Sequence, residues 1–243
     1  MAAVLADARR RRRSRRRAPG RSAGARVVRH PGDVHVDAGP HVAASRGARM
    51  TRRNRHRVVW SEDGLRHIRR RDVDLCIWRR GFSASFSGWC QHVTSDVHLD
   101  VDEVVALADR WPVERWLSAM PACEHRAQLA DDIRARLTHY GALLRFPRAR
   151  VQVATIEQQM CPKFHVDNVT VRLICTWAGP ATEWIAERDL DRAKREGTTT
   201  QHLERFDVAL MKGCAGAPNH GVVHRSPHVH DVPRLVLTID GRP

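Results

Sequence analysis

CPKFHVDNVTVRLICTW, residues 161–177, is the stretch whose reading decides the fold. Val166, Val169, Thr170, Val171, Ile174 and Thr176 make it rich in β-branched side chains. A strand places residues i and i+2 on one face. His165 and Asp167 therefore point the same way and Val166 the other. Outward from this run, RARVQVATIEQ (148–158) alternates at Val151 and Val153 and continues the pattern to Ile156. FDVALMKG (206–213) reads as a strand stopped by Gly213, and GVVHRSP (221–227) as a short strand stopped by Pro227. RLVLTID (234–240) is a final strand ended by Gly241. Short strands separated by turn signals predict a barrel or jelly roll.

The first half reads differently. Residues 56–71 form a charged opening segment with a short helix, and DVDLCIWRR (72–80) alternates Val73, Leu75 and Ile77 as a strand does. FSASFSGWC (82–90) is Ser/Gly-rich and reads as a loop or turn. Asp100 or Asp102 is placed to N-cap a helix running to about Arg110, with Pro112 ending it. A second helix is expected over 124–140, with Leu129, Ile133 and Leu137 at fourfold spacing. The charged segment 185–197 reads as a loop or short helix. The expectation is α+β: an Arg-rich leader over 1–55, then one domain over 56–243. Within that domain a helical part (56–145) supports a β-barrel part (146–243).

Charge is unevenly placed. Residues 1–49 carry 13 Arg against 3 Asp, while the whole chain of 243 residues has a formal net charge of +15. The leader has few large apolar residues and no sustained period, so it cannot offset the entropy of ordering itself. Three readings stand: a tail that binds nucleic acid through phosphates, an inert solvated tail, or a stretch ahead of the true start at Met50. No secretory signal is visible, and no run of about 18 apolar residues occurs to span a membrane. Six cysteines (76, 90, 123, 161, 175 and 214) form no CxxC pair, which points to reduced thiols and a cytoplasmic setting. A Gly-rich phosphate loop, a GxSxG elbow and an HExxH helix are all absent, which argues against nucleotide hydrolysis, serine-hydrolase and zincin chemistry.

His165 and Asp167 supply two candidate metal ligands, and His224 in VVHRSP a third. Two histidines and one carboxylate make the facial triad of non-haem iron sites, with open positions for other ligands. Arg234 follows His224 by ten residues and opens a strand; its guanidinium can fork onto a carboxylate. Competing readings sit beside these. His165 and Asp167 could be a plain hydrogen-bonded pair. His220, His228 and His230 lie near His224, the last two in a solvated loop. Cys161 could replace Asp167 in a zinc site. Arg172, five residues after Asp167, should face away from it and serve as a salt bridge or surface charge; Arg225 should face away from the His224 side. Thr176, Trp177, Thr182, Glu183 and Trp184 read equally as a pocket mouth or a packed turn.

The order HxD, His, Arg, with that last spacing of ten, resembles the Fe(II)/2-oxoglutarate dioxygenase superfamily. That resemblance implies a double-stranded β-helix, a jelly-roll or cupin-like barrel. It implies Fe(II) held by His165, Asp167 and His224, with Arg234 on the distal carboxylate of 2-oxoglutarate. One position departs: many such enzymes carry Ser or Thr two residues after the Arg, where Val236 stands, and Thr238 comes two later. CPKFHVDNVTVRLICTWAGPATEW with VVHRSP, RLVLTID and DVDLCIWRR also looks like the bacterial domain-of-unknown-function family 1826, over roughly 60–240. A glycine is expected there at Ala181. That family has no settled activity, and its genome context implies zinc homeostasis. The expectation is an oxygenase acting on an unnamed small-molecule or protein substrate. The alternative is a non-enzymatic cupin-like protein binding Zn(II) or iron.

Overall fold

The structure, a computed structural model, describes residues 56–186, 199–215, 221–230 and 232–243. The Arg-rich leader, His220 and most of the charged segment after Ile185 lie outside these described residues. The order is β1 (His56–Val59), a 3-10 helix (Glu62–Arg69), β2 (Leu75–Trp78), α1 (Ala84–Asp96), β3 (Asp100–Ala106), α2 (Val113–Trp116), α3 (Glu124–Leu144), β4 (Arg148–Ile156), β5 (Val171–Ala178), β6 (Glu183–Ile185), β7 (Thr200–His202), β8 (Val208–Lys212), β9 (Val223–Arg225) and β10 (Arg234–Arg242).

A seven-stranded sheet runs β1-β2-β8-β5-β10-β4-β3, and a three-stranded sheet runs β7-β6-β9. Every neighbouring pair is antiparallel except β1 with β2. From β4 onward the chain passes back and forth between the two sheets. The result is α+β with two open sheets rather than a closed barrel. Among the described residues the helices all lie in 56–145 and the elements of 146–243 are all strands, but the first part also contributes β1, β2 and β3 to the large sheet.

Two of the sequence expectations for the first half are overturned. FSASFSGWC is helical within α1, not a loop. Ser83 caps it, its Oγ accepting from the Phe86 N–H at 3.2 Å. Phe86, Cys90, Val93 and Thr94 then bury one helical face. The low helix propensity of Ser and Gly is outweighed by that packing. The segment opening at Asp100 is strand β3, not a helix. It pairs with β4 from Asp100↔Ala154 to Ala106↔Arg148. Asp102 reaches diagonally to Arg150 there, accepting at 2.7 and 2.5 Å, a cross-strand pair rather than a helix cap. Helix α3 appears where expected, with Leu129, Ile133 and Leu137 fully buried.

Strand alternation sorts the large sheet into two faces. Leu173, Cys175 and Trp177 of β5, with Leu235, Leu237 and Ile239 of β10, join α1 and α3 in one core. Ile174, Val236, Ala209 and Met211 turn the other way and pack with Trp184, Leu203 and Val222 against the small sheet. Tyr140 of α3 fastens the ends of the two central strands. Its hydroxyl donates to the Val171 carbonyl and accepts from the Gly241 N–H, both at 2.7 Å. Asp132 of α3 accepts from Arg80 and, at 2.9 Å, from Trp177 Nε1. Trp177 is thus satisfied on the helical side and does not line a pocket on the other.

Candidate metal centre

The histidine–aspartate segment does not continue the strand. β5 begins at Val171, and residues 168–170 bend. His165 instead forms an isolated antiparallel bridge with His224, each donating its N–H to the other's carbonyl at 2.9 Å. Directly opposed residues of an antiparallel pair present their side chains on one face. The two rings accordingly lie 4.6 Å apart between centroids. On its other side β9 pairs with β6, setting Trp184 opposite His224.

Two glycines let the intervening loop close up. The Asp167 carbonyl accepts from the Cys214 N–H at 2.8 Å. A Cβ at Gly213 would collide with the carbonyl oxygens of Asp167 and Val169. One at Gly221, where φ is +122°, would collide with Val166. Val166 thus packs away from the metal centre, as its parity with His165 and Asp167 required.

The three predicted ligands converge. One ligand atom each from His165, Asp167 and His224 lie within 4.8 Å of one another. His165 Nε2 stands 3.5 Å from Asp167 Oδ1, and His224 Nε2 stands 3.2 Å from Oδ2. Each histidine sets its Nδ1 3.0 Å from a carbonyl two residues back, Lys163 for His165 and Val222 for His224. A carbonyl only accepts, so each Nδ1 carries the proton and each Nε2 presents a lone pair. Two lone pairs and a buried carboxylate thus face one another. A cation bound among them would be held by all three donors at once.

Arg172 corrects the sequence expectation. It does form a salt bridge, but with Asp167, its NH1 standing 2.7 Å from Oδ2. The bend over 168–170 breaks the strand parity that predicted it would face away. In the metal-free site burial would raise the Asp167 pKa, yet His224 when protonated at Nε2, Arg172 and a protonated His165 together hold it well below the carboxylate range. Among the described residues no cysteine joins the ligand group. The Cys161 carbonyl accepts from the Ser226 N–H at 3.1 Å, tying the approach to His165 to the end of β9. Arg225 pairs with Glu183 at 2.5 Å and covers the Phe164 ring. His228 and His230 stack on each other, exposed.

Arg234 opens β10 as expected and is 2 % exposed. A register shift between Leu235 and Val236 lies beside it, the kind of bulge that re-aims a side chain. Its Nε donates to the Pro180 carbonyl at 2.7 Å and its NH2 to Thr182 Oγ1 at 3.3 Å. Gly179, at φ +71°, lets the 179–182 turn lie against Pro233 and Arg234. Among the described residues no carboxylate reaches ion-pair distance, and burial lowers the guanidinium pKa to about 10. Thr182 supplies the hydroxyl that Val236 could not. It comes from the strand side, a partner that sequence spacing from Arg234 could not reveal. Thr182 immediately precedes β6, whose Trp184 sits opposite His224, so the partner of the arginine and the triad adjoin the same strand.

The family model described as "Protein of unknown function (DUF1826)" matches residues 61–240. The chain belongs to that family. None of the curated proteins compared matches it. Among solved structures, a rice dioxygenase for auxin oxidation is 11% identical, with 69% of this chain and 72% of that one covered at a TM-score of 0.40. A Pseudomonas putida prolyl-4-hydroxylase is 9% identical, covering 75% and 99% at a TM-score of 0.41. A C-terminally truncated Neurospora crassa protein in apo form is 7% identical, covering 70% and 82% at a TM-score of 0.39. At these TM-scores none of the likenesses bears on the chemistry. No helix among the described residues is long and apolar enough to cross a membrane.

Proposed function

We propose that this protein is an Fe(II)- and 2-oxoglutarate-dependent oxygenase on a double-stranded β-helix. One observation carries the reading: two imidazole Nε2 lone pairs and a buried carboxylate converge with both Nδ1 protons already engaged. This donor set suits a divalent cation, and two His with one carboxylate suit iron while leaving coordination positions open. The topology supports the frame. β4-β10-β5-β8 forms one antiparallel row and His165-β9-β6-β7 the other, with successive segments alternating between rows except β6 and β7, which share one.

His165, Asp167 and His224 would hold the metal. Bound iron supplies one-electron and dioxygen chemistry that no side chain can. Arg234 would take the distal carboxylate of the oxo acid, with the Pro180 carbonyl and Thr182 holding the guanidinium in place. Val236 and Ile174, on the same face of the large sheet, line an apolar interior between the sheets. Excluding water there strengthens the attraction between guanidinium and carboxylate. The substrate, whether small molecule or protein, would approach on the His165 side, where the ring is 30% exposed.

The test is an anaerobic titration of metal-free protein with Fe(II) and then 2-oxoglutarate, read by the visible metal-to-ligand charge-transfer band. The band should form, and His165→Ala should abolish both it and stoichiometric iron binding. Tight metal binding with no band would replace the oxygenase reading with a non-enzymatic metal-binding protein. Stoichiometric binding retained in both His165→Ala and His224→Ala would refute the triad.

A further inference from the structure

Asp167 is not free to turn. Its Oδ2 lies 2.7 Å from Arg172 NH1 and 3.2 Å from His224 Nε2, while Oδ1 faces His165. Arg172 is itself clamped. Its Nε and NH2 donate to Asp240 Oδ1 and Oδ2 at 2.8 and 2.6 Å, a bidentate fork from the directly paired position on β10. Asp240 is 2 % exposed. Its other cross-strand neighbour, Arg150 on β4, is engaged by Asp102. Tyr140 pins the backbone on both sides, at Val171 and Gly241, one residue from each partner. The guanidinium therefore has a fixed place, and its remaining arm makes an ion-pair contact, without hydrogen-bond geometry, to one oxygen of the candidate ligand carboxylate.

Resting on the metal reading above, we propose that the Arg172–Asp240 pair is a positioning device that reserves Asp167 Oδ2 and limits the carboxylate to a single bond with the metal. The consequence is a matter of coordination number. Three single donors leave three positions of an octahedral ion open, whereas a chelating carboxylate would leave two. A bidentate oxo acid and dioxygen together need three. Asp240 adds a second effect. Arg172 alone would cancel the charge of Asp167; with Asp240 the three side chains keep one net negative charge facing the cation.

The experiment loads the full chain with Mn(II) and counts exchangeable water ligands by pulsed EPR in 17O-labelled water. Mn(II) affinity is measured in parallel. The wild-type protein should show three such waters. Arg172→Gln should show two, with Mn(II) still bound. Arg172→Gln/Asp240→Asn should also show two, and it leaves no unpaired buried carboxylate to impair folding. Arg172→Lys, which can still reach Oδ2, should return to three. Asp240→Asn alone should weaken Mn(II) binding by roughly tenfold through loss of the net charge. Three waters in both Gln variants would overturn the proposal while leaving the metal centre standing. A wild-type protein that binds no Mn(II), Fe(II) or Co(II) would instead refute the metal reading itself.

Discussion

Replacing Arg234 by Met should stabilise the ligand-free protein and disable it for the oxo acid. The guanidinium is buried, and its partners are two neutral oxygens, the Pro180 carbonyl and Thr182 Oγ1. Burial brings its pKa down to about 10. A lowering of that size corresponds to about 3 kcal/mol of bias against the charged form in the folded state. The sign is that of a base depressed by folding: the penalty is fully present at neutral pH and fades only above pH 10. Met fills much the same volume without the charge. It strands the Pro180 carbonyl, at about 1–2 kcal/mol. The net is a gain of about 1–2 kcal/mol, or roughly 2–8 °C in Tm for a domain of this size. Differential scanning calorimetry of metal-free protein measures it. The same variant should require at least about thirtyfold more 2-oxoglutarate to form the charge-transfer band, because a buried charge-assisted pair contributes about 2 kcal/mol or more. The two shifts must go in opposite directions. A variant that melts lower while binding the oxo acid unchanged would show that Arg234 is a structural cation, and the reasoning would fail.

Two further outcomes follow from the geometry. Gly213→Ala should push the Asp167–Val169 loop outward, since the new methyl meets backbone atoms rather than a yielding side chain. Fe(II) affinity measured by competition with a chelator should fall at least about tenfold, with unfolding by urea showing a loss of about 1–3 kcal/mol. Asp207 behaves differently from Asp167. Burial raises its pKa to about 6, against the lowering effects of Arg79 and Arg80. A raised carboxylate favours folding below its unfolded value, and that contribution is lost as pH rises through about 6. Asp207→Asn should therefore raise the Tm above about pH 6 by the equivalent of about 1–2 kcal/mol, less what its bond from the Glu204 N–H contributed, with the gain shrinking as pH falls through about 6 and gone below about pH 4. A pH-independent change would refute the assignment.

How much of this could be read from residues alone depends on the scale of the signal. β4 is legible from its alternation, and β8 and β10 from short apolar runs ended by Gly213 and Gly241. α3 was legible because Leu129, Ile133 and Leu137 recur at helical spacing. α1 was not, since its apolar residues are separated by Ser and Gly, and only the Ser83 cap marks its start. β3 was misread because Asp100 and Asp102 suit a helix cap equally well. What selects the strand is Arg150 on the neighbouring strand, 48 residues away from Asp102 in the chain.

The site divides along the same line. His165, Asp167, His224 and Arg234 were legible because the motif offsets HxD and His-to-Arg are visible in the chain itself. Their supports were not, because each is a long-range contact: Tyr140 to Gly241, Gly213 to Asp167, Thr182 to Arg234, Asp240 to Arg172. Arg172 shows why. Parity along an ideal strand turns it away from Asp167, and that inference holds only while the strand is unbroken. Three bent residues, 168–170, suffice to reverse it. The bend is held in place by Gly213, which accepts the crowding no other residue could. A glycine at the end of β8 thus decides which charge stands beside a carboxylate far earlier in the chain. Sequence spacing reports the candidate ligands; the charge that surrounds them is set by which loops can touch.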